Sequence, residues 1–305
     1  MANVAKKSPY IPDPGLAAAA GVALELELPL LVTGEPGTGK TQLAYWIADQ
    51  IGGEVLRFNT KTTSQAKDLF YRYDAIRHFR DSQHREVNPL HYIQFEALGK
   101  AILLSGQQRF IVLVDEIDKA TRDFSNDLLF EFEKLAFSIQ EATPEDIAGF
   151  DWKQHHHIDR PSFDNNGNIS CAAGTPRPVL VLTSNSEKNL PDAFLRRCAF
   201  YHIPFPNPEQ LLDIVRAHGF LSPGFTEKVA AKAIAYFDQI REQGLRKKPA
   251  TAELLAWLHL LKSRQLDPAS AASDKETDAK IRQTFSLLAK NKEDLQRLLD
   301  EFRFN

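Results

Sequence analysis

Four short runs of the chain read as strands, residues 28–33, 54–58, 110–114 and 179–183, the last two almost continuously apolar and β-branched. Runs of this kind suit strands buried on both faces of a parallel sheet. Between the first two strands, residues 40–51 place Leu43, Ala44, Ile47, Ala48 and Ile51 on one helical face, and strand-length runs alternating with helical periods predict a parallel sheet covered by helices. After Phe205-Pro206-Asn207-Pro208 the strand signals stop. Helical segments start near Glu209, Thr226, Thr251, Ser273 and Lys292, separated by turn formers such as Ser222-Pro223-Gly224 and Asp267-Pro268. The expected organisation is an α/β domain over residues 1–205 and an all-α domain over 206–305. Two stretches depart from a plain βαβ succession. Residues 61–98 are predicted helix-rich and longer than a crossover requires. Residues 142–178 carry Pro, Gly, Asn and His with little periodicity and predict a long insertion. Residues 137–140 read as a short strand leading into it.

Composition narrows the class. With 37 Lys+Arg against 40 Asp+Glu, a formal charge of −3 and 43% hydrophobic residues, the chain is ordinary globular material. The near-neutral balance gives no whole-protein footprint for nucleic acid. Residues 16–32 are apolar but interrupted by Glu25, Glu27 and Pro29, so neither a signal peptide nor a membrane span is expected. Two cysteines, Cys171 and Cys198, are too few for a disulfide framework or structural zinc and point to free thiols and a cytoplasmic setting.

The chemistry begins at Gly34-Glu35-Pro36-Gly37-Thr38-Gly39-Lys40-Thr41, which matches GxxxxGK[ST] at every fixed position between a predicted strand and a predicted helix. Glycines let successive N–H groups and the helix N-terminus converge on phosphate oxygens, Lys40 adds a point charge, and the Thr41 hydroxyl can ligate magnesium. The strand at 110–114 ends in Asp115-Glu116, an acidic pair where metal and an activated water belong in a phosphate-loop fold. Asp115 is the metal-side carboxylate and Glu116 the one that polarises water. The strand at 179–183 leads to Ser184-Asn185, whose neutral amide can hold water or phosphate without adding charge beside Glu116. Leu190 to Cys198 then brings the pair Arg196 and Arg197.

These four elements, in this order and wording, resemble the AAA+ ATPases, and most of all their MoxR branch. The resemblance spans roughly residues 10–260. It implies an AAA+ phosphate-loop domain followed by an all-α lid, with Walker A at Gly34 to Thr41, Walker B at Asp115 and Glu116, sensor 1 at Asn185, and an arginine finger at Arg197 with Arg196 as its neighbour. It also implies ATP and Mg2+ as cofactors, with Tyr10 and Ile11 near the adenine, and Asn59 either restraining Glu116 or serving a structural turn. For sensor 2 no arginine falls in register, and Lys248 is the candidate, with Arg246 and Lys247 as alternatives. The implied activity is ATP hydrolysis in a ring, taken as a hexamer, coupled to remodelling of a partner protein, plausibly one with a von Willebrand A-type domain. Two other readings stay open: a DNA-linked motor or restriction or antiphage NTPase, and a nucleotide switch that hardly turns over.

Residues 61–98 take the place of the family's helix-2 insert, with Tyr71-Arg72-Tyr73-Asp74 at its centre, for which packing within the domain is preferred over contact with substrate or DNA. His155-His156-His157 lacks ligand spacing and is expected in a mobile, partly exposed loop. Asp164-Asn165-Asn166-Gly167-Asn168 resembles a calcium loop only superficially, since Ala173 stands where its glutamate belongs. The aromatic and basic residues of 150–163 suit a flexible surface that grips a partner, with packing against the chain's own domain nearly as well supported.

Overall fold

Five parallel strands build the central sheet: β1 (Leu30–Gly34), β2 (Glu54–Asn59), β3 (Phe110–Asp115), β4 (Val179–Ser184) and β5 (Ala199–Ile203), in the order β5-β1-β4-β3-β2. The computed structural model describes residues 10–84, 86–158, 160–186 and 190–304. Its contacts divide the chain into two units: Pro12–Gly34 with Lys40–Ile203, and Glu35–Gly39 with Pro204–Asn305 and the described part of Met1–Ile11.

In the sheet unit, β1 and β3 are buried at every position, as strands flanked by neighbours and covered by helices must be. β5 alternates instead, with Phe200 exposed and Ile203 buried. It is an edge strand, half solvated and carrying His202, so no apolar run marks it in the sequence. Helix α1 (Pro14–Glu25) starts on Asp13, whose carboxylate accepts the N–H groups of Gly15 and Leu16 and the Tyr201 hydroxyl of β5 at 2.6 Å. Helix α2 (Lys40–Ile51) buries Leu43, Ala44, Ile47 and Ala48, the face predicted from period.

Residues 61–98 are less helical than their composition predicts. Tyr71–Tyr73 and Ile93–Phe95 pair as a small antiparallel ribbon, and only Ala75–Ser82 between them is α-helical. That helix buries none of its residues and leaves Ile76 and Phe79 largely exposed. Gly99 is required here, because a Cβ would stand 2.0 Å from the Phe70 carbonyl oxygen.

The insertion at 142–178 is built into the core. Ala136–Phe137, Ile169–Ser170 and Ser162–Phe163 form a three-stranded antiparallel sheet, so the short strand leading into the insertion ends at Phe137 and residues 138–140 lie outside it. Ile147, Phe150, Trp152, Ile158 and Ile169 join the main hydrophobic cluster, and the Trp152 indole N–H donates to the Ile147 carbonyl at 2.9 Å. Burial of these large side chains overrides the loop-like composition. His155 and His156 sit in a short helix, Trp152–His156, not a loop. Among the described residues no group of His, Cys, Asp or Glu has the arrangement of a metal site. Burial of both thiols raises their pKa, that of Cys198 to about 12, which leaves them poor nucleophiles.

His156 packs its ring on Phe95, Phe150 and Trp152. Desolvation, with smaller contributions from the charges of His155, His157, His91 and Lys100, pushes its pKa from 6.5 down to about 4. The folded chain therefore resists a proton that the unfolded chain accepts. The stability this neutral ring contributes is present above about pH 6.5 and lost as pH falls toward 4, on the order of 1 kcal/mol once partial exposure is discounted. Thermal melts from pH 7.5 to 4.5 should show a fall in midpoint that is smaller for His156→Phe by a few degrees. Identical slopes for the two proteins would remove His156 as the cause.

In the second unit, helices Pro208–Ala217, Glu227–Glu242, Thr251–Ser263, Lys275–Arg282 and Lys292–Glu301 enclose a core that includes Tyr236, Phe237, Trp257, Phe285 and Phe302. The buried Trp257 N–H is satisfied by the Thr284 hydroxyl at 2.7 Å, which donates on to the Ile281 carbonyl at 2.5 Å. Asp294 is buried, and although desolvation alone would raise its carboxyl, the N–H groups of Arg246 and Lys247 and the Asn291 amide hold it below the usual value. No described helix of either unit is long and apolar enough to cross a membrane.

Candidate active site

The carboxyl ends of β1, β3 and β4 bring together side chains far apart in sequence, as open α/β sheets do. Lys40 is buried and donates from Nζ to the Gly34 carbonyl at 2.7 Å and to Asn185 Oδ1 at 3.0 Å. The Thr41 hydroxyl donates to the two Asp115 carboxylate oxygens at 3.2 and 3.3 Å. Asp115 is also buried and accepts the Thr183 hydroxyl. Thr183 in turn accepts the Glu116 N–H at 2.9 Å, so one hydroxyl ties the neighbouring carboxylate to the backbone that aims Glu116.

Glu116 has φ +57°, a left-handed conformation that costs a non-glycine residue of order 1–3 kcal/mol and is found where the surroundings over-determine it. Its carboxylate, roughly half exposed, pairs with Lys119. That hydrogen bond raises the Lys119 pKa. The Asn185 N–H donates to Asp118 Oδ1 at 3.2 Å.

Arg57 and Thr60, which the sequence reading did not single out, join this cluster. Arg57, on β2, places a guanidinium nitrogen 2.5 Å from Asp115 Oδ2, visible in the sequence only as a basic residue inside a strand. Asn59 pairs in register with Asp115, and no described hydrogen bond joins its side chain to Glu116. Thr60 donates its N–H to the Asp115 carbonyl at 3.1 Å.

The phosphate-loop residues Glu35–Gly39 belong to the second unit. Gly37 and Gly39 have φ +78° and +90°, which glycine adopts without a Cβ penalty. Gly39 also lies under the Tyr10 ring, where a Cβ would meet Cε2 at 2.5 Å, while Ile11 is exposed. The Thr38 hydroxyl donates to the Glu35 carbonyl at 2.9 Å. The Glu35 carboxylate accepts from Arg241 at 2.7 Å. Arg241 is buried, stacks over the Phe205 ring at 3.4 Å and donates to the Pro249 carbonyl; an arginine inside a helical period carries no sequence signal for this role. Pro36 is exposed at the loop's surface.

The basic run 246–248 is turned outward. Arg246 pairs with Glu293 at 2.8 Å, and Lys248 is exposed with no described hydrogen bond or ion pair. Arg197 pairs with Glu133 at 3.0 Å and donates to the Ala193 carbonyl at 3.1 Å, whereas Arg196 is exposed and has no described partner.

Hard oxygen donors at Thr41 and Asp115, with a buried lysine at the start of helix α2, are a donor set suited to a magnesium–phosphate. A profile of the ATPase family associated with various cellular activities (AAA) matches residues 30–206. No curated protein matches the sequence. Solved structures similar to the chain include two of RuvB from Thermotoga maritima. A proline-to-glycine variant is 15% identical over 95% of this chain and 78% of its own, with a TM-score of 0.49. The protein described as a Holliday junction branch migration motor is 15% identical over 93% and 72%, with a TM-score of 0.45.

Proposed function

Because the chain belongs to the AAA family of ATPases, we propose that it hydrolyses ATP at Gly34 to Thr41, Asp115, Glu116 and Asn185, in the manner of the MoxR branch. The observation that carries this reading is the convergence of Lys40, Thr41, Asp115 and Asn185 at the ends of three strands. Lys40 and the loop amides bind and orient the β- and γ-phosphates. Glu116 orients the attacking water and takes its proton, and Asn185 holds Lys40 in place. Thr41 and Asp115 are the residues that would hold magnesium, which supplies neutralisation of phosphate charge when bound. Arg57, half exposed, pairs with the buried Asp115 carboxylate and compensates its charge.

A ring, with Arg197 acting on the neighbouring subunit's nucleotide, and a remodelled protein partner follow from the resemblance of the motifs. Partner recognition by residues 150–163 loses support, since Phe150 and Trp152 are buried in the chain's own core. Calorimetry with Mg-ATP should show binding by the wild type and a loss of about 100-fold or more for Lys40→Ala, which removes a charged contact to ground-state phosphate. Equal binding by both would sink the loop assignment. A pull-down with a Glu116→Gln chain should then retain the partner protein. Stimulation of hydrolysis by DNA, with a steep salt dependence, is the result that replaces that partner by nucleic acid.

A further inference from the structure

Helix Ala75–Ser82 sits in the sheet unit with its polar side inward. Positions 74, 78 and 81 share one face by helical period, and that face is bonded to its surroundings. The Asp74 carboxylate accepts the Arg77 N–H at 3.0 Å. The half-buried His78 ring is hydrogen-bonded to the Tyr73 hydroxyl and stacked on Tyr92, and the Tyr92 hydroxyl donates to Asp81 at 3.0 Å. Positions 76, 79 and 80 fall on the opposite face. There Ile76 is 85% exposed and Phe79 68%, beside the exposed Arg80. A surface helix that serves only its own core turns its apolar side inward, so an apolar side presented to water marks a contact surface.

The same unit carries a second set of large apolar side chains exposed on one helical face. On α1, Val22 is 49% exposed and Leu26, the C-cap residue, 61%, with Glu25 on the same face. Glu25 is exposed and has no described hydrogen bond or ion pair, whereas Glu27 pairs with Arg177. Tyr45 and Phe200, the other large hydrophobics exposed among the described residues of this unit beside Leu28, stand singly on separate elements. The two faces are matched. Each has an apolar pair three or four residues apart with a charge beside it, basic on one and acidic on the other. Arg80 is held by the adjacent Asp81 at 3.2 Å, a pair open to water that is worth little, so its guanidinium is available to a carboxylate from outside.

We propose that the Ile76–Phe79–Arg80 face of one copy docks on the Val22–Glu25–Leu26 face of a second copy, apolar pair on apolar pair and Arg80 on Glu25. Because the two faces differ, the contact is heterologous. Each copy meets one neighbour through each face, and the assembly closes into a ring or continues as a filament. No residue of the nucleotide site takes part, so the contact goes beyond the ATP reading and stands apart from it.

Full-length chains with Mg-AMPPNP are compared by sedimentation velocity over a range of concentrations, alongside AMPPNP calorimetry and thermal melting. Ile76→Ser combined with Phe79→Ser should weaken association about 30-fold or more, the size of a lost interface anchor, with melting unchanged and AMPPNP affinity within a few-fold of wild type. Arg80→Glu and Glu25→Arg should each weaken association about 10-fold or more by setting like charges opposite each other. An equal mixture of those two single variants should associate as wild type does, because in an alternating assembly every charge again meets its opposite. Oligomers indifferent to these substitutions, or a mixture that stays apart although both variants melt normally, overturn the proposal. A monomeric wild type overturns it as well and leaves the Ile76 face to a different protein. Wild-type AMPPNP binding by Lys40→Ala overturns instead the loop reading and leaves this surface standing.

Discussion

Glu116→Gln should bind ATP within a few-fold of wild type and turn it over about 10²–10⁴-fold more slowly, the range a positioned general base contributes. The two effects separate because different groups carry them. On the proposed reading, affinity for ground-state phosphate lies with Lys40, whose ammonium is held by the Gly34 carbonyl and Asn185, and with the loop amides. Glu116 follows the β3 strand at positive φ, with its N–H secured by Thr183 and its carboxylate on an exposed Lys119. Glutamine keeps the volume and the backbone but cannot accept a proton. Losing the Lys119 pair costs little, because exposed ion pairs are worth about 0–1 kcal/mol. A single-turnover assay alongside calorimetry distinguishes the steps. Wild-type turnover by Glu116→Gln would move the water to another carboxylate, a candidate being Asp118, which accepts the Asn185 N–H.

The parts of this arrangement that could be read from sequence are those written in local rules. β1, β3 and β4 are apolar over most of their length because they are buried on both faces, so their positions and the polar residues at their ends followed from the pattern of the sequence. Helix α2 announced itself through its period and begins at Lys40 as expected. The second unit's helices start within two residues of the positions their caps and turn formers indicate.

What stayed hidden depends on contacts between distant segments. β5 is an edge strand with only alternate burial, and the ribbon of Tyr71–Tyr73 with Ile93–Phe95 has three residues per strand, too few for any periodic signal. Residues 142–178 look like a loop, yet Phe150 and Trp152 are buried; polar turn formers around a few large aromatics conceal a core contribution. At the site, Arg57, Thr183 and Arg241 acquire their roles only when β2 meets β3, β4 meets β3, and the Glu35 carboxylate meets its arginine. No spacing rule connects those positions.

If Arg197 acts between subunits as proposed, Arg197→Ala should lower turnover about 10³-fold or more, the magnitude known for arginine fingers, while leaving nucleotide affinity of the isolated subunit unchanged. Within its own subunit Arg197 is occupied, pairing with Glu133 at 3.0 Å with both side chains more than half exposed. Such a pair is weak in water. A triphosphate in the desolvated surroundings of a subunit interface is a stronger partner, because charge-assisted bonds to phosphate strengthen as water leaves. Glu133 therefore parks the guanidinium without competing for it, and Glu133→Gln should leave turnover within a few-fold of wild type. Assembly becomes a condition of activity, so specific activity should rise with protein concentration. Mixing Arg197→Ala with Lys40→Ala chains should restore hydrolysis, since the first binds ATP and the second supplies the arginine. Absence of recovery in a mixture shown to co-assemble counts against Arg197. Arg196, exposed one residue earlier and without a described partner, is then tested the same way: loss with Arg196→Ala and recovery on mixing with Lys40→Ala would move the finger by one position while keeping its action between subunits.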